Sequence, residues 1–172
     1  MSIIDGRTLS PPIWWRPGTP GCRARKEPIR AVVFHWTGGT RGAQGVAQTL
    51  RTRTSRKTGK PSPLSIHYIV ELDGRVVQCA DHSTVTYHAG AANEWSIGVE
   101  IVGGPAKDFT PAQYRAIVEL AEAMPVPRVL YATGADLATF RGHLEHRDVT
   151  ATKIDAGGRV MRALAAMWQA PL

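Results

Sequence analysis

The residues best equipped for chemistry stand in one short run near the end of the chain, His146-Arg147-Asp148-Val149-Thr150-Ala151-Thr152-Lys153-Ile154-Asp155. The run offers an imidazole, an ammonium and a carboxylate. A zinc ion takes nitrogen and oxygen ligands, and a catalytic zinc keeps one position open for water. His146 and Asp155 suit two of three protein ligands. Lys153 beside such an ion would place a positive charge where an oxyanion develops. The third ligand has to come from elsewhere. His35 closes an apolar run, and Glu100 lies between Val99 and Ile101 in another. A lone buried carboxylate is costly unless it is paired or bound to something, so Glu100 asks for a partner.

These residues need elements to carry them. Residues 29–36, Ile-Arg-Ala-Val-Val-Phe-His-Trp, read as a buried strand ended by Thr37-Gly38-Gly39-Thr40. His35 then sits at the strand's C-terminal end, where sites in α/β proteins gather. Residues 43–53 read as a helix with Val46, Leu50 and Ala47 on one face. Residues 66–72 and 75–79 flank Asp73-Gly74, a hairpin signal. Residues 96–102 form a second buried strand broken by Gly103-Gly104, and Glu100 lies within it. Thr110-Pro111-Ala112-Gln113 is a capping box that opens a helix to about Met124. Residues 135–140 predict a short helix and residues 144–146 a short strand. Residues 158–169 predict an amphipathic closing helix through Val160, Met161, Leu164, Met167 and Trp168. On this reading His35, Glu100, His146, Lys153 and Asp155 meet at one edge of a central sheet.

Composition sets the bounds. The chain has 172 residues, 43% hydrophobic and 20% charged, which suits one soluble globular domain. No run approaches the roughly 20 apolar residues of a membrane helix. The first residues, Met1-Ser2-Ile3-Ile4-Asp5-Gly6, carry no apolar signal core. Residues 1–28 are rich in Pro, Gly and Arg and predict an extended arm that Trp14-Trp15 pins to the body. The net charge of +7 points to anionic surroundings or to solubility alone. The basic run over residues 51–60 reads as a solvated loop, with contact to an anionic polymer as the alternative. No recognition helix or aromatic platform accompanies the charge, which argues against nucleic acid. Cys22 and Cys79 lack metal-type spacing and are expected as reduced structural thiols.

Six motifs occur in order: Phe34-His35-Trp36-Thr37, Ser65-Ile66-His67-Tyr68, Leu72-Asp73-Gly74, Tyr87-His88-Ala89-Gly90, Ser96-Ile97-Gly98-Val99-Glu100 and His146-Arg147-Asp148-Val149. Together they resemble the zinc-dependent N-acetylmuramoyl-L-alanine amidases of the amidase type 2 group. That group includes small phage amidases, muropeptide-recycling amidases and peptidoglycan recognition proteins. The resemblance covers residues 29–168. It implies a single amidase domain over residues 1–172, with residues 29–169 as catalytic core. The implied fold is α/β, a central mixed sheet flanked by helices on both faces, with the zinc site in a groove at one sheet edge. It implies one zinc ion per chain on His35, His146 and Asp155, Glu100 as general base and Lys153 beside the oxyanion. His88, Trp36 and Asn93 are implied as substrate contacts. Ile66 stands where many phage members carry a tyrosine, which leaves the base role to Glu100. Asp155-Ala156-Gly157 stands where the family usually has Asp-Pro-Gly. His67 is expected in the core or behind the ligands, and His82 at the surface. His143 rivals His146, but His146 alone precedes Arg-Asp-Val.

The implied partners are peptidoglycan or muropeptides, with anionic envelope polymers in addition. A small basic chain without a wall-binding segment suits a monomeric phage endolysin, held in the host cytoplasm until another factor releases it to the wall. A cytosolic amidase recycling anhydro-muropeptides and a non-catalytic peptidoglycan-binding module are the alternatives.

Overall fold

A computed structural model describes residues 14–169 and, before them, the backbone of two short antiparallel strands, β1 (Ile3–Ile4) and β2 (Arg7–Thr8). The Pro11-Pro12 part of the expected arm lies outside the described residues. Its tryptophans do not. Trp15 is buried and bridges to Ala80, and the Trp14 and Trp15 amides both donate to the Cys79 carbonyl. The elements that follow are β3 (Cys22–Ala24), β4 (Ala31–Trp36), α1 (Ala43–Arg51), β5 (Tyr68–Val70), β6 (Val76–Gln78) and β7 (Thr84–Thr86). A 3-10 turn (Gly90–Glu94) leads into β8 (Ser96–Ile101), α2 (Pro111–Ala123), β9 (Gly142–Glu145), α3 (His146–Val149) and α4 (Arg159–Trp168).

Five strands form the central sheet in the order β6-β5-β8-β4-β9. The strands β5, β8, β4 and β9 run parallel, and β6 returns antiparallel beside β5. Parallel strands are covered on both faces, which is why β4 and β8 read as nearly continuous apolar runs. Alternation along them sends Val32, Phe34, Ile97, Val99 and Ile101 to one face. There they meet Ile117, Leu120 and Ala121 of α2 and Val160, Met161 and Leu164 of α4. Burial of each large side chain here stabilises the fold by about 1.5–3 kcal/mol. The opposite face is covered by Ala43, Val46 and Ala47 of α1 over Ile66, Ile69 and Val77, so helices do flank both faces.

The capping box at Thr110 and Gln113 forms as expected, and the buried Gln113 amide also donates to the Val102 carbonyl at 2.7 Å. Gly74 makes the β5–β6 turn with φ +83°, and a Cβ there would lie 2.6 Å from the Ala112 carbonyl oxygen. Helices α1 and α4 have glycine N-caps with no side-chain acceptor. Each borrows a distant carboxylate instead. Glu71 accepts from the Ala43 amide at 2.7 Å. Glu145, fully buried, accepts from the amides of Gly158, Val160 and Met161.

Two local expectations are corrected. Residues 135–140 hold a single turn rather than a helix. The Asp136 carbonyl accepts from Phe140 and its carboxylate from Ala138, and the chain then enters β9. The late strand begins two residues before the expected start, at Gly142, and stops at Glu145, so that His146 opens α3 instead of closing the strand. Cys22 and Cys79 are free thiols, both buried. Among the described residues no helix is long and apolar enough to cross a membrane.

Candidate metal centre and active site

The site stands at the C-terminal ends of the parallel strands. In the β4–β8 register His35 pairs with Glu100. Alternation places both on the face away from α2 and α4. On the other side of β4, Phe34 pairs with Glu145 at the end of β9, so the next residue, His146, emerges beside His35. The loop after α3 folds back, and the Arg147 amide donates to the Asp155 carbonyl at 2.8 Å.

Three ligand-type atoms converge there. His35 Nδ1 lies 3.0 Å from His146 Nδ1 and 3.2 Å from Asp155 Oδ2, and His146 Nδ1 lies 2.9 Å from the same oxygen. Donors on a tetrahedral zinc, with bonds of about 2.0–2.1 Å, lie about 3.3 Å apart. The triangle therefore has the size and the N/N/O chemistry of a three-ligand zinc site with one position left open. Burial pushes the His35 pKa down to about 4, against the opposing pull of Asp155, which keeps the ring neutral. Burial alone would raise Asp155, but the two facing imidazoles hold its carboxylate far below the usual range.

Glu100 is unlike its neighbours. Its Oε2 is buried and has no hydrogen-bond partner. Burial pushes its pKa up to about 8, the Asp155 charge adds to the rise, and Lys153 opposes it. A carboxylate poised near neutral pH beside this triangle is suited to move a proton. Glu100 also lines a cleft of about 480 Å³ whose other walls include Thr37, Arg41, Val46, Thr49 and Leu50. Lys153 is exposed, and its amide donates to the Thr150 carbonyl at 2.8 Å. Its charge acts on both His35 and Glu100.

The remaining expected site residues divide. His88 Nδ1 lies 3.0 Å from His35 Nε2, on the far side of that ring from the triangle. Asn93 accepts from the amides of His88 and Ala89 at 2.9 and 2.7 Å, shaping the loop that carries His88. Trp36 is not brought to the triangle. It packs against the α2/α4 core, with Gly157 against its ring and the Arg159 guanidinium 5.2 Å from it. His67 is fully buried as expected, bonded to the Thr86 hydroxyl, the Thr84 carbonyl and the Gly98 amide. His82, expected at the surface, is half-buried there and bonded to Tyr68 Oη at 2.8 Å. His143 stacks on Phe34 in the core, on the opposite sheet face from His35.

Sequence reasoning missed Arg25 and Ser96. Arg25 donates to the carbonyls of His82, Glu94, Thr84 and Ser96, tying β3 to the segments beneath the histidine cluster. Nothing in an arm rich in arginine marks it from its neighbours. Ser96 had a signal, because Ser96, Gly98 and Glu100 alternate along one face of β8.

Residues 25–158 match the N-acetylmuramoyl-L-alanine amidase family. The 1,6-anhydro-N-acetylmuramyl-L-alanine amidase AmpD of Haemophilus influenzae is 30% identical over 69 residues, covering 36% of this chain. The match spans 38% of that relative's length. The endolysin LysCS from Clostridium intestinale superposes with a TM-score of 0.62 over 83% of this chain and 85% of its own, at 16% identity. Peptidoglycan recognition protein-LE, solved with tracheal cytotoxin, superposes with a TM-score of 0.60 over 88% of this chain and 87% of its own, also at 16% identity. These structural likenesses carry the fold. The match over residues 25–158 carries more, and on it the chain belongs to the N-acetylmuramoyl-L-alanine amidase family.

Proposed function

We propose that the chain is a zinc-dependent amidase that hydrolyses the amide between N-acetylmuramic acid and L-alanine. The observation that carries this reading is the His35–His146–Asp155 triangle with Glu100 in register beside it. A zinc ion in the triangle supplies Lewis acidity to the amide carbonyl and to a water. Glu100 takes a proton from the attacking water as its oxygen adds to the carbonyl carbon. The developing negative charge on the carbonyl oxygen faces the Lys153 ammonium. Glu100 then passes its proton to the nitrogen as the C–N bond breaks, and the peptide leaves with a free L-alanine amine. The cleft walled by Arg41 and Leu50 receives the part of the substrate next to Glu100.

Mass spectrometry of a defined muropeptide tests the bond, with expected products of free sugar acid and intact peptide. A chelator is expected to abolish turnover and added Zn²⁺ to restore it. Chelator-resistant hydrolysis refutes the zinc assignment.

The role we infer is cell-wall lysis by a phage-type enzyme. The +7 charge and the exposed basic run over residues 51–60 support it, since the envelope is anionic. The kinship with AmpD of Haemophilus influenzae favours a second reading, recycling of soluble anhydro-muropeptides. Intact sacculi and soluble anhydro-muropeptides, offered separately, decide between them. Activity confined to the soluble fragment removes the lytic role.

A further inference from the structure

We propose that Ser96 and His88 set the tautomer of His35, so that its Nδ1 faces His146 and Asp155 as a lone pair. The proposal rests on the metal reading of the triangle. The order of donors follows from one end. Ser96 is fully buried, and its hydroxyl lies 2.6 Å from the Ala92 carbonyl oxygen. A carbonyl only accepts, so the single hydroxyl proton points there. Towards His88 Nε2, at 3.3 Å, Ser96 Oγ then only accepts. His88 Nε2 therefore carries the ring's hydrogen. A neutral imidazole has one, so His88 Nδ1 accepts from His35 Nε2 at 3.0 Å. His35 Nδ1 is left without hydrogen, aimed at the triangle. The same count holds from the other end: a His35 that gives its Nδ1 lone pair to a cation keeps hydrogen on Nε2, and the 3.0 Å contact then needs an acceptor at His88 Nδ1.

The surroundings hold this order in place. A Cβ on Gly98 would lie 2.7 Å from the His88 ring, so glycine at this position makes room for it. The Asn93 carboxamide fixes the backbone from which His88 projects. Along one face of β8, Ser96 orders His88, Gly98 admits it and Glu100 faces the cleft. The opposite tautomer would direct an N–H at the space between His146 and Asp155, where a cation needs a lone pair. Partners behind a metal-ligating histidine fix tautomer and orientation in this way, and their loss lowers metal affinity about 10–100-fold. Ser96 and His88 are thus positioning residues.

The test compares zinc affinity, by competition with a chromophoric chelator, in the wild type, Ser96→Ala, His88→Leu and His88→Asn. Asparagine has nearly the shape of leucine but puts an amide oxygen where Nδ1 stood. His88→Leu and Ser96→Ala are expected to bind zinc about 10–100-fold more weakly. His88→Asn is expected within about threefold of the wild type, whereas a packing role would make asparagine and leucine fail alike. Long-range ¹H–¹⁵N spectra of the metal-free wild type should show His35 and His88 both carrying hydrogen on Nε2. Hydrogen on His35 Nδ1, equal losses in the two His88 variants, or no loss in any variant overturns the proposal. A wild type that binds no zinc instead refutes the metal reading, and the spectra still decide the tautomer.

Discussion

The two faces of strands β4 and β8 differ in kind although the same residues build them alternately. Under α2 and α4 lie Val32, Phe34, Ile97, Val99 and Ile101. On the other face lie His35, Ser96, Gly98 and Glu100, joined from neighbouring segments by His67, His88 and His146. The first face excludes water and has little chemistry. The second buries titratable groups, and an unpartnered carboxylate oxygen, against the tendency of burial to oppose charge. A strand can carry such a site because its other face anchors it. Damage to one face should therefore cost activity with stability intact, and damage to the other the reverse.

The largest expected effect is Glu100→Gln. It removes the proposed proton acceptor while leaving the His35–His146–Asp155 triangle untouched, so kcat should fall about 10²–10⁴-fold. Zinc content and melting temperature should hold, or rise slightly as a buried titratable group is lost. Metal analysis beside kinetics checks this, and a parallel loss of zinc would make Glu100 a ligand rather than a base. Phe34→Ala is the complementary break, one residue from His35. It should lower stability by about 3–5 kcal/mol in urea unfolding. The fraction still folded should keep near-normal turnover, and a selective loss of kcat would show that the faces are not separable.

The sharper test is a residue that crosses the division. Glu145 lies fully buried on the α2/α4 side and caps α4, yet α3 and the Asp155 loop begin just after it. Glu145→Ala leaves the amides of Gly158, Val160 and Met161 without their acceptor, costing about 1–3 kcal/mol. Because α4 directly follows the loop of Lys153 and Asp155, zinc affinity should weaken too. Unchanged affinity beside lowered stability would confine Glu145 to capping.

Glu145 also shows where the sequence was silent. The apolar runs through Phe34 and Val99 announce buried strands, and their lengths and alternation bring His35 and Glu100 to one face without further information. Thr110 and Gln113 declare the start of α2, because a capping box is written locally. The caps of α1 and α4 are not local, since Glu71 and Glu145 come from 28 and 13 residues away. The strand pair β3–β7 escaped notice because three residues on each side leave no readable period. Trp36 reads as part of the His35 motif, but alternation turns adjacent side chains of a strand to opposite faces, and it joins the core. His88 and Ser96 were visible as types, while the order of their hydrogen bonds appears when three segments are folded together.

The smallest expected effect concerns the other polar intruder on the apolar face, His143. Both of its ring nitrogens are buried without a hydrogen-bond partner, between Phe34 and Trp168. Burial pushes its pKa down to about 4. The unfolded chain takes up this proton near pH 6.5, whereas the folded chain does not until about pH 4. The contribution of His143 is therefore constant above pH 6.5 and is lost as the pH drops towards 4, on the order of 3 kcal/mol in all. On the site face His67 and His35, held down by burial to about 3 and about 4, add limbs of the same sign, while Glu100, pushed up to about 8, contributes stability that is lost as the pH rises. Urea midpoints of the metal-free protein between pH 4 and 8 record the summed slope with no contribution from metal release. His143→Leu exchanges an unsatisfied ring for an apolar side chain, so stability at pH 7 should hold or rise slightly, and the acid slope should become shallower. A slope unchanged by His143→Leu would assign the acid sensitivity to the histidine cluster on the site face, and the apolar face would then be indifferent to pH.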